Sequence, residues 1–248
     1  MKKRLFPLVL MLAAGLTQAG ELRLRGYDGY PYNGTPDSDH PGFFIEAAKA
    51  IFAQHQTDVS YNVVPWNAMI SGADRGVYDC LLGIHPTEAP ELNFTRDPWT
   101  VMSPHLYVRP TDPMKYEDLN SFGMRRVAVI KDSRMEAALK PLATLKPKPK
   151  QLILVPEADG MDELVRRLRM GEVDVIAAPE ATMAQYIKAH GLEKAIRDVG
   201  HFADPVPLYV ACSNKEGDAN LVTWLNQGRL ELIKTGQWQE LKKKYDVE

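Results

Sequence analysis

The sequence has few cysteines and almost no excess of charge of either sign. Its 248 residues include two cysteines, 30 basic and 32 acidic side chains, which gives a formal net charge of −2. Two cysteines are too few for a disulfide-rich scaffold, and a nearly neutral chain gives no electrostatic reason to expect a nucleic-acid partner. A hydrophobic share of 45% also argues against disorder. The length then predicts one large or two small globular domains, a size suited to binding a small ligand.

The sequence also lacks the short motifs that mark most enzymes and metal sites. Its six histidines are scattered, without a paired His–Glu helix motif, and there is no G-x-S-x-G elbow, P-loop or dinucleotide glycine fingerprint. We therefore expect no metal, no cofactor and no catalytic residue. Cys80 and Cys212 could form a disulfide after export, but both lie in apolar strand contexts with 131 residues between them. We expect buried free thiols, with a bridge as the alternative.

Long hydrophobic runs are missing except at the start of the chain. A basic head of Lys2, Lys3 and Arg4 precedes an apolar run over 5–16, and small residues follow up to Ala19. This order is typical of a secretory signal, so we predict a signal peptide over 1–19. The run has 12 residues, whereas a membrane-spanning helix needs about 20. The sequence predicts a soluble periplasmic protein exported through the Sec pathway, and no lipobox cysteine follows the run to carry a lipid anchor.

Helix and strand signals alternate along the remaining chain. Alternating or continuous apolar residues predict strands over 22–25, 59–63, 80–82, 127–130, 152–155 and 173–178. Apolar residues at helical spacing predict helices after Gly42, over 66–75, after an N-cap at Ser133, and over 161–168. Strands that alternate with helices favour a largely parallel, layered α/β architecture.

Two segments of the chain match each other and predict two lobes of one design. GVYDCLLG (76–83) and GEVDVIAA (171–178) each carry a helix-ending Gly, an Asp three residues later and a strand. The proline-rich stretches 110–113 and 205–207 are where we expect the chain to cross between lobes. We therefore assign 20–109 plus 208–248 to the first lobe and 110–207 to the second.

Seven landmarks in a fixed order relate the chain to a known family. They are GYDGYPYN (26–33), GFFIEAAKAI (42–51), VPWNAMISGADRGVYDCLLG (64–83), NFTRDPW (93–99), VAVIKDS (127–133), GEVDVIAAPE (171–180) and TGQWQELKKKY (235–245). With these, the chain over about 20–245 resembles the type 2 periplasmic solute-binding proteins, in the polar amino-acid-binding branch (extracellular solute-binding family 3). The resemblance implies a two-lobed α/β fold of periplasmic binding protein type 2, with two crossovers and a ligand cleft between lobes. It also implies C-terminal helices packed on the first lobe, and lobes that close on ligand by hinge motion.

The position of the cleft follows separately from the strand pattern. In open α/β sheets, ligands bind beyond the carboxyl ends of the strands. Those ends predict a site from 27–32, 65–66, 83–88, 131–135 and 178–180. The candidate ligand-binding residues are Asp28, Tyr30, Trp66, Gly83, His85, Ser133, Arg134 and Glu180. Trp66 matches the aromatic position of the family's ligand sandwich, whereas we expect Tyr27 and Tyr32 to pack in the lobe.

The expected site departs from the family's pattern in two places. The family's arginine for an α-carboxylate is missing after the third strand, where Glu88 lies nearby; Arg134 is either its replacement as an anion clamp or a solvated residue at a helix start. After the second lobe's strand, Pro179 replaces the family's acidic residue. The next residue, Glu180, either holds a ligand amino group or caps a helix. His85 either contacts ligand or packs on Pro86. These departures leave the ligand class open.

Three functions fit these observations. The first is a periplasmic solute-binding protein, monomeric and non-enzymatic, that delivers a small polar ligand to an inner-membrane ABC permease. The second is a lyase resembling those that act on cyclohexadienyl acids, with Glu180 or Glu88 as the general acid. The third is a soluble adaptor that presents ligand to a membrane receptor.

Overall fold

Two β-sheets, each flanked by helices, form the protein. The structure, a computed structural model, describes residues 21–144, 151–215 and 220–247. The predicted signal peptide at 1–19 lies outside the described residues. Within them, the chain forms eleven strands and seven α-helices, so the α/β class and the two-lobed arrangement expected from the sequence are confirmed.

The first sheet and its helices form what we call the first lobe. Its strands, in chain order, are β1 (Leu22–Gly26), β2 (Val59–Val63), β3 (Cys80–Ile84), β4 (Asn93–Phe94), β5 (Thr100–Met102) and, much later, β11 (Val206–Cys212). The strands run in the order β2-β1-β3-β11-β4, and β5 pairs with β11. The helices are α1 (Phe43–Ala53), α2 (Trp66–Asp74), α6 (Leu221–Thr235) and α7 (Gln237–Tyr245). β1 pairs in parallel with β2 and β3, so their carboxyl ends share one edge.

The second sheet and its helices form the second lobe. Its strands are β6 (Pro104–Val108), β7 (Arg126–Ile130), β8 (Gln151–Val155), β9 (Val175–Pro179) and β10 (Arg197–His201), in the order β10-β6-β9-β7-β8. The helices are α3 (Arg134–Leu139), α4 (Gly160–Arg169) and α5 (Glu180–His190). β7 pairs in parallel with β8 and β9. Each of these three strands therefore ends at the same edge, where its helix begins.

Two neighbouring chain crossings join the lobes. Only Ser103 separates β5 from β6, and residues 202–205 separate β10 from β11. The crossings lie side by side because β5 pairs with the start of β11, with Val206 opposite Met102. β6 belongs to the second sheet, although the sequence analysis assigns 104–109 to the first lobe. The prolines at 110–113 follow this strand, so the first crossing precedes them.

The two segments that match in sequence carry the same contact. Asp79 accepts hydrogen bonds from the backbone N–H of Arg23 at 2.7 Å and from its Nη2 at 2.6 Å. Asp174 accepts the same pair from Arg126, at 2.9 and 2.8 Å. Each aspartate thus joins the start of its own strand to the parallel strand beside it, β1 in the first lobe and β7 in the second.

The two cysteines form a disulfide, and our expectation of free thiols is wrong. Cys80 in β3 lies directly opposite Cys212 in β11, with their Cα atoms 4.0 Å apart and a sulfur–sulfur bond between them. The 131 intervening residues do not separate the cysteines, because β11 returns from the second lobe and pairs antiparallel with β3. Sequence spacing alone did not reveal that pairing.

The C-terminal helices pack on the first lobe, as the resemblance implies. The Trp238 ring of α7 lies 5.1 Å from that of Phe43 in α1, and Gly228 of α6 lies against Ile51. A Cβ atom at Gly228 would fall 2.5 Å from the Ile51 side chain, so glycine allows the two helices to approach closely. None of the helices in the described part of the chain has the length and apolarity to cross a membrane.

Candidate functional site

A cavity of about 670 Å³ lies between the two lobes. The loops after β1 and β2 line it from the first lobe, and those after β7, β8 and β9 line it from the second. All five are carboxyl ends of strands that pair in parallel within their sheets. This is where the strand pattern alone places a ligand.

Five of the eight candidate site residues line this cavity, namely Asp28, Tyr30, Trp66, Ser133 and Arg134. Gly83, His85 and Glu180 are not among the described residues that line it. Tyr32 packs in the core as expected, with its hydroxyl donating to the carbonyl oxygen of Val101 at 3.2 Å. Tyr27, which we expected to pack, also lines the cavity.

Trp66 begins α2 and forms one aromatic wall of the cavity. Pro65 precedes it and, having an extended backbone, starts the helix without a side-chain cap. The Trp66 backbone N–H donates instead to the Glu157 carboxylate of the second lobe at 3.2 Å. The rings of Tyr27 and Trp66 pack edge to face, with their centroids 5.5 Å apart. Contacts with both lobes therefore hold Trp66.

Ser133 and Arg134 lie at the start of α3. The Ser133 hydroxyl accepts the backbone N–H of Glu136 at 3.2 Å, which confirms the predicted N-cap. The Arg134 guanidinium, however, forms a bidentate ion pair with Glu88, at 2.6 Å from Nε and 2.7 Å from Nη2. Burial by itself lowers the pKa of Arg134, but hydrogen bonds and charge from Glu88 and Tyr27 outweigh it and raise that pKa. Arg134 is therefore charged, and Glu88 already neutralises the charge expected to clamp a ligand anion.

Asp28 presents a carboxylate to the cavity. It lies two positions after the end of β1 and is exposed to the open space. In the residues that the structure describes, no Lys, Arg or His forms an ion pair with it. Desolvation raises the pKa of the Asp28 carboxyl, and a hydrogen bond from the Gly29 backbone opposes the shift.

The other three candidates have different surroundings. The Gly83 carbonyl oxygen accepts Nη2 of Arg134 at 2.8 Å. His85 donates its backbone N–H to Glu88 at 2.7 Å, and its Nδ1 lies 2.9 Å from the Thr87 hydroxyl. Glu180 is half exposed and lies 3.5 Å from Nε2 of His105, which itself contacts Asp198. Gly83 thus contacts the second lobe through Arg134, whereas the contacts of His85 lie within the loop after β3 and that of Glu180 lies at the start of α5.

Sequence reasoning missed one wall of the cavity, which α5 provides. Thr182, Gln185, Tyr186 and Ala189 face the space at helical spacing. The Thr182 hydroxyl oxygen is buried and has no hydrogen-bond partner within the described residues. The Tyr186 hydroxyl donates to Asp162 at 2.6 Å, and desolvation together with that hydrogen bond raises the Tyr186 pKa to about 12. Only the i, i+3, i+4, i+7 spacing could have indicated this face.

The loop after β8 also contributes residues that we did not predict. Glu157, Asp159, Met161 and Asp162 line the cavity. The strand-end rule covers this loop as well as the others, so it could have been included.

Across 21–144, 151–215 and 220–247, His, Cys, Asp and Glu side chains form no group of three that could hold a metal ion.

Two α/β lobes, two adjacent crossings and a cavity at the strand ends define a two-lobed solute-binding protein. The family of bacterial extracellular solute-binding proteins, family 3, matches residues 25–248, and the chain belongs to this family. The resemblance drawn from the seven landmarks is therefore confirmed. Among curated proteins, none matches the sequence.

Solved structures share the fold over nearly the whole chain. An ancestral arginine-binding protein bound to arginine has a TM-score of 0.76 and 21% identity, covering 91% of this chain and 98% of its own. A histidine kinase sensor domain with similarity to periplasmic binding proteins has a TM-score of 0.76 and 23% identity, and the match covers 92% of this chain and 96% of the sensor domain. The ancestral amino acid-binding protein AncCDT-1, a precursor of cyclohexadienyl dehydratase, has a TM-score of 0.72 and 20% identity, and the match covers 91% of this chain and 95% of AncCDT-1. At these identities the likeness shows the fold alone.

Proposed function

We propose that this protein is a monomeric periplasmic solute-binding protein. It captures a small polar ligand, amino-acid-like or a related metabolite, by hinge closure and delivers it to an ABC permease. The observation that carries the proposal is the cavity between the lobes, lined by strand ends from both sheets. A ligand that contacts both walls binds the closed arrangement better than the open one and therefore drives closure.

The charges around the cavity favour a ligand that carries an ammonium or similar cation. Five carboxylates line the cavity against two strong bases, Lys131 and Arg134, and Arg134 is neutralised by Glu88. Asp28 has no basic partner among the described residues, so it is the natural acceptor for a ligand cation. The apolar part of the ligand would lie against Trp66 and Met102.

A thermal-shift screen of refolded, ligand-stripped mature protein tests the proposal. The panel holds amino acids, polyamines, organic acids, sugars and vitamins. A ligand at a hundred times its dissociation constant adds about 2.7 kcal/mol, which is roughly 5–10 °C in a protein of this size. We expect a hit among compounds that contain an amino group.

Two matched variants show whether a hit uses the proposed site. Asp28→Asn keeps the shape but removes the charge, so the shift should shrink; Asp58→Asn removes an exposed carboxylate away from the cavity and should leave it unchanged. If no compound in the panel raises the melting temperature, the proposed function is contradicted. If Asp28→Asn leaves the shift intact, the proposed site is contradicted.

No specific observation favours the lyase or the sensory adaptor. The sequence offered Glu180 or Glu88 as the general acid of such a lyase. Glu88 is tied to Arg134, and Glu180 lies beside His105 instead. The likeness to a sensor domain concerns the fold only, so it does not favour the adaptor hypothesis.

A further inference from the structure

Arg134 is more fully coordinated than an ordinary surface arginine. Besides its two hydrogen bonds to Glu88, Nη2 donates to the Gly83 carbonyl oxygen at 2.8 Å, and Nη1 lies 3.4 Å from the Tyr27 hydroxyl. Its side chain is 10% exposed and that of Glu88 is 19% exposed. All three guanidinium nitrogens therefore have partners, and water has little access to them.

Two aromatic rings complete this environment. The guanidinium carbon lies 4.5 Å from the centre of the Trp66 ring and 5.4 Å from that of Tyr27. A cation over an aromatic face gains most when it is desolvated. We call these four groups the cation site: the Glu88 carboxylate, the Gly83 carbonyl oxygen, and the rings of Trp66 and Tyr27. Such a set of groups would bind a guanidinium from any source.

The cation site and its occupant belong to different lobes. Every group of the site follows or lies in a strand of the first sheet, whereas Arg134 follows β7 of the second. The pairs Arg23–Asp79 and Arg126–Asp174, by contrast, each lie within one lobe. The Arg134–Glu88 ion pair can therefore form only while the lobes lie together.

We propose that Arg134 is a built-in occupant of the cation site. It takes the place of a ligand cation and latches the lobes without one. Two consequences follow: guanidinium or ammonium groups of ligands are excluded from Trp66, Tyr27 and Glu88, and part of the closed population forms in the ligand-free protein. The proposal does not depend on which ligand the remaining cavity binds.

The geometry argues against the simpler role of Arg134 as an anion clamp. Its Nε and Nη2 already donate to Glu88 and Gly83 at 2.6–2.8 Å. A ligand carboxylate would have to displace the Glu88 carboxylate and leave that largely buried charge without its cationic partner, which is costly.

Chemical complementation tests the proposal directly. Arg134→Ala empties the cation site, and ethylguanidinium chloride then supplies the missing group. We expect a saturable rise in melting temperature of at least about 2 °C in this variant, beyond any change in the wild type or with sodium chloride. Adding Glu88→Gln to Arg134→Ala should abolish the rise.

Small-angle scattering of ligand-free protein tests the latch itself. The radius of gyration should increase in Arg134→Ala and in Glu88→Gln, and ethylguanidinium should reverse the increase in the former. Arg126→Ala is the matched control, because it breaks a similar bidentate pair within one lobe. It should lower stability without changing the radius of gyration.

The outcomes separate this proposal from the proposed function. Should Arg134→Ala fail to fold, Glu88→Gln still gives the scattering test with Arg134 in place. An unchanged radius of gyration in Glu88→Gln, or an equal ethylguanidinium response in wild type and Arg134→Ala, would overturn the latch. Neither result bears on the ligand screen, which uses the wild-type cavity.

Discussion

The Cys80–Cys212 disulfide should contribute strongly to stability, because it closes a very long loop. The bridge joins residues 132 positions apart and thereby ties β3 to β11 across the whole second lobe. In the chain-entropy model, a closed loop of that length destabilises the unfolded state by about 5 kcal/mol at 25 °C. Domains of ordinary size have a total unfolding free energy of about 5–15 kcal/mol. The bridge would then account for a large share.

Urea denaturation of the oxidised wild type and of the Cys80→Ala/Cys212→Ala double variant measures this contribution. We expect the unfolding free energy to fall by about 2–5 kcal/mol, the range seen when native disulfides are removed. The midpoint should shift to lower urea, and the slope should rise because the unfolded chain exposes more surface without the bridge. Both sulfurs are buried, so part of the loss will come from the small cavity that alanine leaves.

Reduction of the wild type separates the two contributions. Dithiothreitol present during unfolding should lower the wild-type midpoint and leave the double variant unchanged. A wild type that unfolds identically with and without reductant would refute the bridge in solution, and our original expectation of free thiols would then stand.

Two further substitutions test the cavity wall and an ion pair within the second lobe. Thr182→Val replaces a buried hydroxyl that lacks a partner among the described residues, so the ligand-free melting temperature should stay or rise while ligand affinity falls; a loss of stability without ligand would contradict this. The Arg126 hydrogen bonds hold the pKa of Asp174 well below its usual value, so Asp174 stabilises the fold above an unfolded pKa of about 3.9. Acid removes that stability as the pH falls below this value towards the lowered pKa of the folded state. Asp174→Asn should therefore lower the melting temperature at pH 7 and flatten its fall on acidification. An unchanged acid profile would contradict a stabilising role for the Asp174–Arg126 ion pair.

Local signals predicted most of the fold because they depend on neighbours in sequence. The strands over 22–25, 59–63, 127–130 and 152–155 were found through their alternating or continuous apolar residues. β6 was missed, since its sequence PHLYV has no clear alternation and prolines follow soon after it. The return of β11 beside β3 is a pairing between distant parts of the chain, which no local pattern carries.

The site could be predicted only as far as strand ends reveal it. Trp66, Asp28 and Ser133 each lie two or three positions after the end of a strand, so the rule found them. The pairing of Arg134 with Glu88 requires two lobes to meet at a particular angle, and one sequence does not specify that angle. Consequently each residue was judged alone, Arg134 as an anion clamp or a solvated residue and Glu88 as a candidate general acid.

The ion pair between the lobes also limits what the ligand can do. With Arg134 and Glu88 satisfying each other, Asp28 carries the charge left for recognition among the described residues that line the cavity from the first lobe. The second lobe offers the face of α5 with the Thr182 hydroxyl, which has no hydrogen-bond partner in the part of the chain that the structure describes. A ligand that reaches from Asp28 to Thr182 would add its closure energy to that of the latch. Because the latch shares the task of closing the cleft, such a ligand needs a smaller difference in affinity between open and closed states to shift the population.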